Sequence, residues 1–212
     1  MNAKDHIVFV VDDDPRMGEA LFELLSSLDF YVVVFRSATE YIQCSKPDLP
    51  ACLILDVRLP DVNGLDLQGQ LAKRDHPPII FISGHGDIPS TVRAMKAGAV
   101  DFLPKPFGRK QLLPAIEEAL ARDKRSRLNR AEIDQLKQRF SRLTPRERDV
   151  LPLVVAGLLN KQAASRLGIS EITLQIHRGQ IMRKMAARSL AELVRMAGKL
   201  EVPIPSSEIC TQ

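Results

Sequence analysis

The first 120 residues alternate short apolar runs with segments in which apolar residues recur at helical spacing. The apolar runs are residues 7–11, 31–35, 51–55, 79–82 and 100–103. The helical patterns lie near residues 16–28, 37–44, 64–74, 88–97 and 108–121. Short, continuously apolar runs are typical of strands that are buried on both faces. Five such units predict a parallel sheet that is covered by helices on both sides.

The rest of the chain has helical patterns only. Residues 121–142 contain no glycine or proline, which predicts a helical linker that continues the preceding helix. Its apolar stripe is expected to pack on the next domain or on a partner chain, and consists of Ile133, Leu136, Phe140 and Leu143. A second, all-α domain is predicted at residues 143–201, followed by a frayed tail at 202–212.

Capping residues divide the second domain into short helices. Thr144, Pro145 and Glu147 form the pattern of a capped helix start. Asn160 is predicted to cap the next helix, and Ser170 the one after it. Gly168 permits a left-handed turn between these two helices. Residues 160–179 therefore have the spacing of a helix-turn-helix, although another helical corner has a similar pattern.

Composition and charge limit the function classes. The 212 residues allow two modest domains, and no apolar stretch approaches the ~18 residues that cross a membrane. No signal peptide fits the N-terminus, and the three cysteines lack metal-ligand spacing, so we expect a cytoplasmic protein with reduced thiols. Residues 1–120 carry 12 basic and 17 acidic side chains, whereas residues 121–212 carry 18 and 9. The acidic part suits a cation and the basic part a polyanion.

Charged side chains follow three of the predicted strands. Asp12 and Asp13 follow the first strand, Asp56 the third and Lys105 the fifth. Because the carboxyl ends of parallel strands meet at one edge of a sheet, these groups are expected to lie together. Crowded carboxylates indicate a Mg²⁺ site, with one aspartate left to attack phosphorus. Lys105 would hold phosphoryl oxygens, and Ser83, at the end of the fourth strand, would contact the product.

Each of these residues also has an ordinary structural interpretation. The Asp12–Asp14 run suits a solvated turn, Lys105 a surface lysine and Ser83 a turn serine. Their joint placement at successive strand ends favours the phosphoryl site. The Lys105–Pro106 bond is a candidate for a cis peptide that aims the lysine, although such bonds are usually trans.

This first half resembles the receiver domain of two-component response regulators. The matching segments are Val10–Asp14, Leu53–Pro60, Gly64, Ser83–Asp87 and Asp101–Phe107. The resemblance implies a flavodoxin-like fold with strand order 2-1-3-4-5, and it implies that Asp56 accepts phosphate from a histidine kinase. It implies that Mg²⁺ binds Asp13, Asp56 and the Arg58 backbone carbonyl, with Asp12 acting through water.

The same resemblance assigns conformational roles. Ser83 becomes the switch hydroxyl, and Lys105 matches the lysine of the family. Phe102 falls at the position of the rotating switch aromatic, whereas its chemistry alone indicates a core residue. Arg58 and His85 lie where family members tune the lifetime of the acyl phosphate, and His85 otherwise has the pattern of an exposed loop residue.

The angular positions of side chains around the second helix of the helix-turn-helix predict which face is buried and which is exposed. At ~100° per residue, Leu174, His177, Ile181 and Met185 form one face. The opposite face consists of Ile172, Gln175, Ile176, Gly179, Gln180 and Arg183. This mixture suits a major groove, because isoleucine contacts thymine methyls, glutamine bonds adenine and arginine reaches guanine or phosphate. Phosphate contacts are expected from Arg178, Lys184 and Arg188.

Residues 143–200 resemble the LuxR-type output domain. The matching segments include Leu143–Leu151, Gly157, Asn160–Lys161, Thr173–Leu174, Ile181–Met185 and Ser189–Leu193. Carried over by position, Gln175, Ile176 and Gly179 occupy base-facing sites. Relatives often have basic residues at the first and third of these, so Gln175 and Gly179 depart from the pattern.

The order of the two halves is similar to that of FixJ-type regulators. The resemblance implies a transcription activator, not an enzyme, that dimerises on phosphorylation and binds double-stranded promoter DNA. It implies a sensor histidine kinase and RNA polymerase as partners. Two alternatives remain open. One is an aspartyl-phosphate hydrolase that uses Asp12 and Asp14, and the other is a constitutive DNA-binding protein whose receiver serves only dimerisation.

Overall fold

A computed structural model describes residues 5–72, 76–84 and 88–203. Its strands are β1 (Ile7–Val11), β2 (Tyr31–Phe35), β3 (Ala51–Asp56), β4 (Ile79–Ser83) and β5 (Asp101–Pro104). The helices of the first half are α1 (Pro15–Ser26), α2 (Ala38–Gln43), α3 (Gly64–Leu71) and α4 (Ile88–Lys96). Those that follow are α5 (Arg109–Ser141), α6 (Pro145–Val155), α7 (Asn160–Leu167), α8 (Glu171–Met185) and α9 (Leu190–Lys199). His85, the tail beyond residue 203 and the end of the helix predicted at 64–74 lie outside the described residues.

The five strands form one parallel sheet with the order β2-β1-β3-β4-β5, which confirms the flavodoxin-like prediction. Strand β3 lies in the middle of the sheet between β1 and β4. Asp56 is paired in register with Ile82, and Ser83 with Pro104. The polar residues at the strand ends therefore share the carboxyl edge of the sheet.

Successive residues of each strand alternate between two apolar cores. One core takes Phe9 and Leu55 from the sheet and is covered by side chains of α2, α3 and α4. The other takes Val10 and Ile54 and is covered by α1 and α5. Burial on both faces explains why the strands have continuous apolar sequences rather than alternating ones.

Helix α5 runs through the predicted linker without a break, as the absence of glycine suggested. The chain forms two compact units, residues 1–127 and 128–212, so α5 contributes to both. In the second unit Phe140 and Leu143 pack with the core of α6–α9, and Leu136 is buried as well. Among the helices of the described residues, none has the length and apolar character needed to cross a membrane.

The helix starts of the second unit match the predicted caps with one exception. Thr144 and Glu147 form the capping box of α6, and the Ser170 side chain caps α8. Gly168 adopts φ 65°, the left-handed conformation that the turn requires. The Asn160 prediction was wrong, because α7 begins at Asn160 itself and Leu159 holds the cap position without a side-chain hydrogen bond.

Candidate functional site

Three carboxylates meet at the carboxyl edge of the sheet. Asp12 and Asp13 follow β1, and Asp56 ends β3. One oxygen of each lies within 4.8 Å of the others, and we call these residues the acidic cluster. Asp12 and Asp56 are buried, whereas Asp13 is exposed. The cluster therefore has an inner wall and an open side that a ligand can reach.

Lys105 contacts the inner wall of the acidic cluster. Its Nζ donates to Asp12 Oδ2 at 2.7 Å and to Asp56 Oδ2 at 2.5 Å. Burial disfavours the charged form of Lys105, but the hydrogen bonds to Asp12 and Asp56 and the attraction of their charges together outweigh burial and raise its pKa. Burial raises the pKa of Asp12, and the Lys105 bond offsets this only partly. The lysine is thus a fixed cation that donates to two buried carboxylates.

Backbone contacts hold these side chains in place. The Asp14 amide donates to Asp12 Oδ1 at 2.9 Å, and the Arg58 amide donates to Asp56 Oδ1 at 2.9 Å. The Lys105 amide donates to the Ser83 carbonyl at 2.7 Å. The Lys105–Pro106 peptide is cis, which agrees with the possibility drawn from the sequence.

Gly64 approaches the backbone at the end of β3 closely. A Cβ atom at this position would overlap the Asp56 carbonyl oxygen. The Gly64 amide also donates to the Val57 carbonyl at 2.9 Å. Composition and periodicity gave no role for Gly64, because the contact forms only when α3 folds back over the strand end.

The two predicted switch residues lie inside the first unit. Ser83 is only 1% exposed, at the end of β4. Phe102, on β5, is 8% exposed, and its ring centroid lies 6.1 Å from that of Phe81. Phe102 therefore belongs to the apolar core in the conformation described, as its chemistry alone indicated.

The donor set of the acidic cluster fits a hard divalent cation. Carboxylate oxygens are the ligands that Mg²⁺ prefers, and one or two of them usually suffice because the ion keeps several waters. The exposed Asp13 leaves room for such waters. Asp13 and Asp56 can supply direct ligands here. Arg58 follows Asp56 by two residues, so its backbone carbonyl is a further candidate ligand.

Helix α8 presents the two faces that the sequence predicts. Leu174, Ile181 and Met185 are fully buried in the core of the second unit. On the opposite side Ile172 is 73% exposed and Ile176 is 58% exposed. We call this side the outer face of α8, and it consists of Ile172, Gln175, Ile176, Gly179, Gln180 and Arg183.

Hydrogen bonds order part of this surface. Arg183 donates to Gln180 Oε1 at 2.5 Å, on one side of the outer face. Arg178 donates to Asn160 Oδ1 of α7 at 2.6 Å, which fixes its guanidinium between the two helices. A Cβ atom on Gly179 would meet no atom within 4 Å, so packing within the chain does not require glycine there.

Lys184 has an internal partner that sequence reasoning missed. Its Nζ lies 2.6 Å from Glu147 Oε2 of the α6 capping box, and Glu147 is 3% exposed. Burial raises the pKa of Glu147, but hydrogen bonds from Lys184 and Thr144, together with the charge of Lys184, outweigh burial and lower the pKa. The phosphate contact of Lys184 stays a prediction, and in the chain without DNA its ammonium group neutralises a buried carboxylate. Arg188, by contrast, is exposed.

Comparison with known proteins explains both sites. Residues 8–117 match the response regulator receiver domain, and residues 141–197 match the bacterial regulatory proteins of the luxR family. The chain is 52% identical over 203 residues to Nodulation protein W of Bradyrhizobium diazoefficiens, covering 95% of this chain and 89% of that protein. The chain belongs to the response regulators. The acidic cluster lies in the part that matches the receiver domain, and the outer face of α8 lies in the part that matches the luxR family.

Other response regulators support the FixJ-type assignment. The transcriptional regulatory protein FixJ of Bradyrhizobium diazoefficiens is 39% identical over 198 residues, covering 93% of this chain and 96% of that protein. The structure of the response regulator StyR matches with a TM-score of 0.78 at 50% identity, covering 92% of this chain and 99% of that one. The chain is therefore a phosphorylation-regulated transcription regulator and not an enzyme, and the hydrolase alternative is set aside.

Proposed function

We propose that Asp56 accepts a phosphoryl group from a sensor histidine kinase, and that this event controls binding of promoter DNA by the second unit. The observation that carries the proposal is the contact of Lys105 with Asp12 and Asp56 inside the acidic cluster. The cluster combines a carboxylate nucleophile, a fixed cation and an open acidic side, which phosphoryl transfer requires. Residues 121–142 would link the receiver to the DNA-binding domain at 143–201.

The chemistry assigns a task to each group. A carboxylate oxygen of Asp56 attacks phosphorus while the bond from phosphorus to the kinase imidazole breaks, and the imidazole nitrogen keeps the electron pair. Lys105 stabilises the charge on the phosphoryl oxygens, since its Nζ already lies beside Asp56. Asp13, Asp56 and the Arg58 carbonyl would hold Mg²⁺, with Asp12 acting through water, and the ion would neutralise the incoming phosphate.

Asp13→Asn is expected to weaken Mg²⁺ binding by about tenfold or more, the lower end of what loss of a supporting group costs a metal site. The reason is that Asp13 supplies the exposed charge of the acidic cluster. Isothermal titration calorimetry with Mg²⁺ measures the change.

The matched control is Asp14→Asn. Asp14 lies next to the cluster but caps α1 by accepting from the Arg16 amide, and asparagine caps equally well. Mg²⁺ affinity should stay within about twofold in this variant. Equal losses in both variants would show that general negative charge, not the cluster, attracts the ion.

After phosphorylation, Ser83 and Phe102 would pass the change to the surface made by α4 and β5. Ile88, Val92 and Met95 form an exposed apolar stripe on α4, spaced to lie on one side of the helix. Apolar residues clustered in this way are typical of a protein–protein contact. We propose that this surface forms the homodimer of the phosphorylated protein.

A dimer would place two α8 helices on successive major grooves, one DNA turn or ~34 Å apart. The outer face of α8 would then read bases through Gln175, Ile176 and Gln180, with Gly179 facing the groove. Arg183, Arg178 and Arg188 would contact guanine or phosphates. We further propose that the bound dimer activates transcription by contacting RNA polymerase.

Arg183→Ala is expected to lower DNA affinity and to reduce the salt dependence of binding by about one phosphate contact. Gln175→Ala is expected to relax base preference, with ~1–3 kcal/mol of discrimination lost at one position. Both follow from the exposure of the outer face. Selection of bound DNA from a random pool, followed by fluorescence anisotropy on the selected sequence, measures them.

Arg195→Ala is the control, because Arg195 is an exposed cation on α9 and is not part of the outer face of α8. Affinity and base preference should match those of the unchanged protein. If Arg183→Ala and Gln175→Ala also leave both quantities intact, the outer face of α8 does not bind DNA.

A further inference from the structure

A buried carboxylate on α5 contacts the sheet at the edge opposite the acidic cluster. Asp123 is 2% exposed, and its Oδ2 accepts a hydrogen bond of 2.9 Å from the Ala51 amide. Ala51 is the first residue of β3, and Asp56 is the last. A single central strand thus joins the proposed phosphate acceptor to the middle of α5.

Arg127 neutralises Asp123. The guanidinium Nε lies 2.6 Å from Asp123 Oδ2, one helical turn away. Another nitrogen of the same guanidinium pairs with Asp48, in the segment that leads into β3. The Arg127 side chain is 27% exposed, so this pair is shielded from solvent more than an ordinary surface ion pair. The three residues clamp α5 onto the start of β3.

The neighbouring residue, Arg122, contacts the chain just before β5, at the same edge of the sheet as Ala51. Arg122 donates to the Gly98 carbonyl at 3.2 Å, in the turn between α4 and β5. Asp123 therefore attaches α5 to the start of β3, and Arg122 attaches it to the turn between α4 and β5. The helix continues from these contacts to Ser141, beyond the end of the first compact unit at Arg127.

We propose that Asp123 is a positioning residue that couples phosphorylation of Asp56 to DNA binding. Held by Ala51 and Arg127, it fixes α5 on β3, so that a change at the carboxyl edge is transmitted to the helix that enters the second unit. The apolar face of α5 and exposed contacts such as that of Arg122 would remain without this clamp. This inference rests on the proposed function, since it names how the phosphorylated receiver reaches the DNA-binding domain.

Asp123→Asn tests the clamp in the full-length protein. Asparagine retains an oxygen for the Ala51 amide but removes the charge that holds Arg127. DNA affinity is measured by fluorescence anisotropy with and without acetyl phosphate and Mg²⁺. The unchanged protein should gain about tenfold in affinity, a usual size for coupling between two sites. Asp123→Asn should gain less than about twofold while its phosphate uptake and unphosphorylated DNA affinity stay unchanged.

Two further variants make the result specific. Arg127→Gln removes the other partner and should abolish the gain in the same way. Arg125→Ala removes an exposed ion pair with Glu118 on the same helix and should retain the full gain. The proposal is overturned if Asp123→Asn gains as much as the unchanged protein. It is also overturned if the variant loses phosphate uptake and unphosphorylated DNA affinity together, because that is the result of a merely structural role. No gain in the unchanged protein would instead overturn the proposed function.

Discussion

Asp56→Asn is expected to eliminate covalent phosphate uptake completely. Asparagine retains the shape and the Arg58 amide contact of Asp56, but its amide is not a nucleophile toward phosphorus. Lys105 keeps its partner Asp12, so the fold of the strand ends should persist. The measurement is mass spectrometry of the intact protein after incubation with acetyl phosphate and Mg²⁺, followed by mapping of the modified peptide.

Asp66→Asn provides the comparison. Asp66 is an exposed aspartate of α3 that pairs with Arg93 at the surface. This variant should take up phosphate as the unchanged protein does. Phosphate uptake by Asp56→Asn at a normal level would mean that another residue, such as Asp12 or Asp13, is the acceptor, and the assignment of Asp56 would fail.

Lys184→Met is expected to destabilise the second unit by about 3 kcal/mol, the lower end of the cost of breaking a buried ion pair. The loss leaves the Glu147 carboxylate buried, with Thr144 as its remaining hydrogen-bond partner among the contacts described. The lower end applies because 24% of the Lys184 side chain remains exposed. Hydrogen exchange of the slowest backbone amides in α6 and α8 measures the opening free energy directly.

Arg188→Met distinguishes a structural cation from a DNA-binding one. Arg188 is exposed just beyond α8, and surface substitutions usually change stability by less than about 0.5 kcal/mol. Arg188→Met should therefore leave exchange unchanged and reduce the salt dependence of DNA binding. The contrary result is that Lys184→Met leaves hydrogen exchange unchanged and reduces the salt dependence of DNA binding. In that case Lys184 contacts phosphate, and its ion pair with Glu147 does not stabilise the second unit as predicted.

Patterns along the chain were sufficient for the sheet and for the outer face of α8. Continuous apolar runs identify buried parallel strands, and the parallel arrangement alone brings Asp12, Asp56 and Lys105 to one edge. The angle of 100° per residue separates buried Leu174 from exposed Ile176 because α8 is a regular helix. In the strands and in α8 alike, the spacing of apolar residues along a short segment determines which side chains are buried.

Contacts between distant residues could not be predicted in this way. Lys184 and Glu147 are 37 positions apart, and Asp123 and Ala51 are 72 positions apart. No period connects them, so neither the ion pair of Lys184 with Glu147 nor any role for Asp123 could be predicted from the sequence. The boundary drawn at residue 120 likewise placed Asp123 in a linker, whereas its side chain is buried against the start of β3.

The central claim is that phosphorylation of Asp56 controls DNA binding. Its most direct test is the affinity for selected DNA, with and without acetyl phosphate, of the unchanged protein and of Asp56→Asn. The account predicts that acetyl phosphate raises the affinity of the unchanged protein about tenfold and leaves that of Asp56→Asn unchanged. Equal affinities in all four conditions would contradict it and would favour a protein that binds DNA constitutively.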